Sequence, residues 1–206
     1  IWCRGVLRDE YGVDLSTITW VEGAMEQAGS HGFARDHQLA VPTRIEHNKS
    51  GKSLSELLHE GAIDATLGAL MPTNFGTSPY IERLFPNYRA VEIASYQKTG
   101  VPPLMHFVII RKTTLEKHPW IVEPLMRAFA QAKEQALARL FYTGALKSLL
   151  PMLHAEIDET RRIFGDDPWP DGVERNMRTL DRLLSYMVED GIITRRPTMQ
   201  ELFLTQ

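Results

Sequence analysis

Apolar positions along this chain change period several times, and each change marks an element. Trp2, Val6 and Leu7 fall at helical spacing, which predicts a helix over about residues 2–11 that stops at Gly12. Residues 16–23, STITWVEG, alternate and predict a short strand. Residues 24–42 are polar, with glycines and histidines, and read as a long loop. Ser53 and Glu56 then form a capping box, Leu54, Leu57 and Leu58 an apolar face, and Gly61 a stop. The apolar run AIDATLGAL, residues 62–70, predicts a buried strand ending at Met71-Pro72-Thr73-Asn74. Ser78-Pro79 predicts a short helix with proline at its first position. RAVEIASY, residues 89–96, predicts another strand. Alternating helix and strand over residues 1 to about 97 point to a small α/β lobe with a partly parallel sheet.

The pattern changes after a stiff connector, KTGVPPLMH, at residues 98–106. Phe107 to Arg111 predicts one strand, followed almost entirely by helices. His118-Pro119 opens a long helix striped by Ile121, Leu125, Phe129, Ala136 and Leu140. Pro124 inside that stripe predicts a kink or a restart. A second long helix is expected over about 172–189, with Val173, Met177, Leu180, Leu184 and Met187 inward and Gly191 as its end. Thr198 and Glu201 form another capping box and open a short terminal helix. Trp120, Trp169 and Phe129 read as core or interface.

Composition narrows the function classes. The chain has 206 residues, 43% hydrophobic and 24% charged, enough for one large domain or two small ones. With 23 basic against 26 acidic residues and no block of one sign, nucleic acid is not an expected partner. No apolar run reaches the roughly 18 residues of a membrane span. Cys3 is the only cysteine, so no intrachain disulfide or cysteine zinc site exists. His31, His37 and His47 match no standard ligand spacing, and no metal is expected. The first helix opens at residue 1 without a capping residue, so an N-terminal part is expected to be missing.

Five blocks carry a resemblance. They are IWCRGVLRDEYGVDLSTITWVEG, LLHEGAIDATLGALMP, RLFPNYRAVEIASYQKTGVPPLMHFVIIRK, HPWIVEPLMRAFAQAKEQA and FGDDPWPDGVERNMRTL. In this order they resemble the 4,5-dihydroxyphthalate decarboxylase family. Pro102 and Asp171 depart from it, standing where the family usually has an aromatic and a tyrosine. The resemblance implies an α/β fold like the type II periplasmic-binding proteins, with two lobes, a cleft and a hinge, and the N-terminal part of lobe one missing. Residues 1–103 would be lobe two, and residues 104–206 a mostly helical return to lobe one.

The implied activity is non-oxidative decarboxylation of a hydroxylated aromatic dicarboxylate in the interlobe cleft, with no cofactor. The site needs a proton donor, a cation for the retained carboxylate and a dry pocket. His106 is the candidate donor, since an imidazole titrates near neutrality; the other reading is a structural hinge histidine. Arg4 is the candidate carboxylate binder, or else a solvated helix arginine. Gly5 beside it permits close packing or backbone approach. Thr99 and Gly100 would offer a hydroxyl and N–H groups to a carboxylate, or form a plain turn. Tyr96, with Ser95, would meet phenols or face outward. Thr73, between Pro72 and Asn74, follows an expected strand, where α/β sheets bind ligands.

A solute-binding protein that captures a small organic anion for an ABC transporter is the competing class. The enzyme reading, preferred here, goes with a cytoplasmic location, and the binding protein with a periplasmic one. The partner expected in both is a small aromatic carboxylate or other organic anion, and a homo-oligomer is left open.

Overall fold

The computed structural model describes residues 1–28, 39–41, 43–145 and 148–204. The chain divides into two compact units, Ile1–Val101 with Thr179–Gln206, and Pro102–Arg178. Among the described residues no helix is long and apolar enough to cross a membrane.

In the first unit, α1 (Trp2–Tyr11) ends where Gly12 turns left-handed at φ 67° and returns its N–H to the Arg8 carbonyl. Strands β1 (Thr19–Glu22) and β2 (Arg44–His47) pair in parallel, with Thr19 opposite Arg44 and Glu22 opposite His47. A parallel pair needs a crossing of a dozen or more residues, which the interval between Glu22 and Arg44 supplies. Of the loop expected over 24–42, residues 29–38 and 42, with His31 and His37, lie outside the described residues. Helix α2 (Leu54–His59) opens on the expected box: Ser53 Oγ accepts from the Glu56 N–H at 3.2 Å, and Glu56 Oε2 accepts from the Ser53 N–H at 2.7 Å. Helix α3 (Tyr88–Thr99) closes on Gly100.

In the second unit, α4 (Lys112–Lys117) leads through a single 3₁₀ turn to α5 (Val122–Phe141), followed by α6 (Leu153–Phe164). Helix α7 (Met177–Glu189) starts at the end of this unit and lies in the first from Thr179 onward. Helix α8 (Met199–Leu202) has the expected Thr198–Glu201 box.

Several sequence expectations are corrected. Residues 89–96 are helix, not strand: Val91, Ile93 and Ser95 imitate a period of two, but Val91, Ser95 and Thr99 also share one helical face. Residues 62–70 form bends rather than a buried strand. There the Ala62 and Ile63 N–H groups turn back onto the Leu57 carbonyl, while Leu67 and Leu70 stay exposed. Ser78-Pro79 opens a turn, because Ser78 Oγ accepts from the Tyr80 N–H two residues on. Residues 107–111 form no strand, and Ile109 is 88% exposed.

Pro124 falls in the first turn of α5, where its missing N–H leaves no bond unmade, so the helix restarts at Val122. The α5 stripe is not buried, and Phe129, Trp120 and Trp169 are exposed rather than core. Within the 172–189 expectation, Leu180 and Leu184 are buried, Met177 is exposed, and the regular helix begins only at Met177. Helix α6 was not foreseen; Leu153 and Ile157, four residues apart, bury its inner edge.

The first unit's core gathers Met25, Leu57, Leu180, Leu184 and Tyr186. Gly5 is buried in the middle of α1, and a Cβ there would lie 2.3 Å from the Tyr186 ring. Trp2 meets the same ring edge-on, with centroids 5.8 Å apart. Helix propensity alone favours Ala over Gly by about 1 kcal/mol. Here contact decides the sign, since overpacking a fixed ring costs about 1–3 kcal/mol. Gly5→Ala is therefore expected to lower the denaturation midpoint; an unchanged or higher midpoint in a urea titration would contradict the contact.

Candidate functional site

The charged pocket of the first unit is built where the start of α1 meets the end of α7. Glu189 is the last residue of α7 and Asp190 follows it. Helix C-termini present unsatisfied carbonyls and a negative dipole end, so two acids there are unfavourably placed. Helix α1 supplies the compensation. Arg4 Nε donates to Asp190 Oδ2 at 3.0 Å and its Nη2 to Oδ1 at 3.3 Å, a two-pronged pair. Asp190 is only 4% exposed and Arg4 19%, so this is a buried carboxylate met by a guanidinium. The Arg4 guanidinium also lies over the Trp20 ring, 4.5 Å from its centroid.

Arg8 stands one turn along α1. Its Nη1 is 3.7 Å from Asp190, its Nη2 bonds Glu189, and its Nε donates to Asp9 at 3.0 Å. Burial works against its charge, but Asp9, Glu189 and Asp190 outweigh that and hold its pKa above the ordinary arginine value. Arg182 ties Asp9 back to α7 at 3.0 Å.

Together Arg4, Arg8, Glu189 and Asp190 line a pocket of about 220 Å³. Asp14, Ser16, Val41 and Thr43 also line it. Asp14 caps a 3₁₀ turn, accepting from the Ser16 N–H at 3.0 Å and from its hydroxyl at 2.7 Å. Those bonds hold the Asp14 carboxyl below its ordinary pKa. Val41 is set in place at Gly191, whose φ is 70° and where a Cβ would lie 2.4 Å from the Val41 nitrogen. The chemistry on offer is two guanidiniums and several hydrogen-bonding oxygens.

Of the sequence candidates, Arg4 lines this pocket and Gly5 lies buried beside it. Thr73 is exposed, with its N–H donating to the buried Ser55 Oγ at 3.1 Å. Tyr96 is half-buried on α3. Thr99 donates its hydroxyl to the Ser95 carbonyl at 2.8 Å, and the Gly100 N–H bonds the Tyr96 carbonyl. These groups close the C-terminal end of α3, the negative end of a helix dipole. Ser95 itself donates to Glu10 at 2.8 Å. His106 is exposed, on the irregular segment that opens the second unit. Arg8, Glu189 and Asp190 were missed. The signal for them was an arginine pair spaced four apart on α1, and two acids placed where a helix end disfavours them.

The second unit has its own charged cluster. Lys133 reaches Asp167 at 3.1 Å, Asp171 at 2.5 Å and the Trp169 carbonyl at 2.9 Å. Burial opposes the charges of Lys133 and Asp167, yet Asp171 and Asp167 together raise the lysine's pKa, and Lys133 with Arg175 lowers that of Asp167. Buried Asn176 donates to the Pro170 and Gly172 carbonyls at 2.6 and 2.8 Å. The DPWPDG loop is thereby held at both ends. Asp171 is part of that clamp.

No family model matches the chain. It is 33% identical, over 98% of its length, to a 4,5-dihydroxyphthalate decarboxylase of Comamonas testosteroni. A 77-residue stretch, 36% of the chain, is 30% identical to a 4,5-dihydroxyphthalate decarboxylase of Pseudomonas putida. The chain spans 62% of the first relative's length, and the match to the second covers 29% of that protein.

Removing one partner of a buried pair leaves the other charge uncompensated, at a cost on the order of 3 kcal/mol. Arg4→Met is expected to destabilise the protein on that scale, with Arg8 at 3.7 Å softening the loss. In a double-mutant cycle with Asp190→Asn, a coupling of about 1 kcal/mol or more is expected from denaturant midpoints, whereas strict additivity would contradict the pair.

Proposed function

We propose that this chain is a member of the 4,5-dihydroxyphthalate decarboxylase family and part of an enzyme that removes carbon dioxide from 4,5-dihydroxyphthalate or a closely similar aromatic dicarboxylate. The observation that carries the reading is the identity extending over 98% of the chain to a relative of that name. The pocket at Arg4 agrees in chemistry: Nε and Nη2 hold Asp190, and a guanidinium carries further outer N–H groups that can meet a substrate carboxylate.

In this reaction each ring hydroxyl lies para to one carboxylate. Its oxygen pushes electron density to the carbon that bears the departing group. A general acid delivers a proton there, forming the new C–H bond. The carbon–carboxylate bond then breaks, carbon dioxide leaves, and its bonding electrons restore the aromatic ring. The product is 3,4-dihydroxybenzoate. Arg4 holds a substrate carboxylate, and its contact with Trp20 keeps one face of the guanidinium dry, where charge attraction is stronger. His106 is not among the residues lining this pocket, and it is proposed as the proton donor on the chemistry of its imidazole alone.

The test is carbon dioxide release from 4,5-dihydroxyphthalate, with 3,4-dihydroxybenzoate followed by absorbance. Equal release of both is expected. Neither product, with saturable binding of another anion, would overturn the decarboxylase reading. His106→Ala is expected to lower kcat about 10²-fold or more, the usual scale for a lost general acid. Turnover near that of the unmodified protein would remove His106 from the mechanism.

A further inference from the structure

We propose that Arg8 is a second carboxylate-binding residue, and that Glu189 is the counter-ion it releases when substrate enters. This rests on the reading of the substrate as an aromatic dicarboxylate and deepens it.

The argument begins with the pocket's charges. Two guanidiniums, Arg4 and Arg8, face three carboxylates, Asp14, Glu189 and Asp190. A dianion cannot join three carboxylates unless one of them withdraws. Asp190 cannot withdraw, because it is 4% exposed and clasped by Arg4. Asp14 is tied by the Ser16 N–H and hydroxyl. Glu189 remains. Its side chain is 47% exposed and bonds Arg8 at the surface, the kind of pair worth only about 0–1 kcal/mol. Its place at the end of α7 is also the one the helix dipole disfavours. Turning Glu189 out to water therefore costs little, and Arg8, which does not deprotonate, keeps its charge for an incoming carboxylate.

The spacing agrees. Arg4 and Arg8 are four residues apart on α1, so their side chains start about 5–6 Å from each other on one face. Adjacent carboxylates on one ring need two cations that close together. A pocket of about 220 Å³ is below the usual range for drug-sized ligands and suits a single ring. Arg8 also keeps Asp9 at 3.0 Å, which holds its stem in place while its outer nitrogens change partner.

Calorimetric binding of phthalate to the whole chain tests the exchange, because phthalate has both carboxylates and lacks the hydroxyls that drive turnover. Arg8→Gln is expected to weaken phthalate about tenfold or more, and benzoate much less. Glu189→Gln is expected to tighten phthalate about threefold or more, since the competing charge is gone. Thermal melts accompany both variants, and Arg8→Lys, which keeps the charge but loses the fork, replaces Arg8→Gln if that variant unfolds. A purely structural network would lower the melting temperature in both variants and leave affinity alike. Unchanged affinity in Arg8→Gln, or no tightening in Glu189→Gln, would overturn the exchange. Failure of the unmodified protein to bind phthalate and to turn over 4,5-dihydroxyphthalate would overturn the functional reading itself. Failure to bind phthalate with turnover intact would overturn only the exchange.

Discussion

Asp190 is a buried carboxylate at the negative end of a helix, and such a group exists only if a cation reaches it. Arg4, 186 residues earlier, does so. That requirement sets the distance at which α1 must lie from α7. Close approach needs a residue without a side chain at the crossing, and Gly5 supplies it beneath the Tyr186 ring. The ring in turn is edged by Trp2 and faced by the guanidiniums of Arg8 and Arg182 at 5.4 and 5.7 Å. Ion pair, glycine and aromatic ring are thus one device. Each is satisfied only when the two ends of the chain are together.

The same device makes the pocket. Bringing a helix that carries two arginines on one face to a helix end with two acids leaves a small hollow rich in charge. A site preorganised in this way spends little on ordering its groups when a ligand arrives. The fold supplies the cations, which the proposed decarboxylation would use to hold a substrate carboxylate. The second unit applies similar physics to a different end, with Lys133 gathering two aspartates and a backbone carbonyl to fix the loop that carries Trp169.

How much could be read from the sequence depended on how far each signal travels. The boxes at Ser53–Glu56 and Thr198–Glu201 are complete within four residues, and both formed as expected. The first helix and its glycine stop were legible for the same reason. Residues 62–70 and 107–111 were apolar enough for strands, but a strand also needs a neighbour, which composition cannot supply. At residues 89–96 a period of two and a period of 3.6 were both available. The helix formers Ala90, Glu92 and Ala94, and the closing glycine at 100, were the better guide. Arg4 was a candidate because its WCRG block resembles the decarboxylase family. Its partner was not, because nothing local connects residue 4 with residue 190.

On the proposed function, the hollow between α1 and α7 is where the aromatic dicarboxylate would bind. A crystal structure of the protein with phthalate bound tests it most directly. One carboxylate is expected within about 2.7–2.9 Å of Arg4 or Arg8 nitrogens, as charge-assisted bonds require, with the Glu189 side chain turned to solvent. Phthalate ordered elsewhere, with Arg8 still bonded to Glu189 and the hollow unchanged, would contradict it.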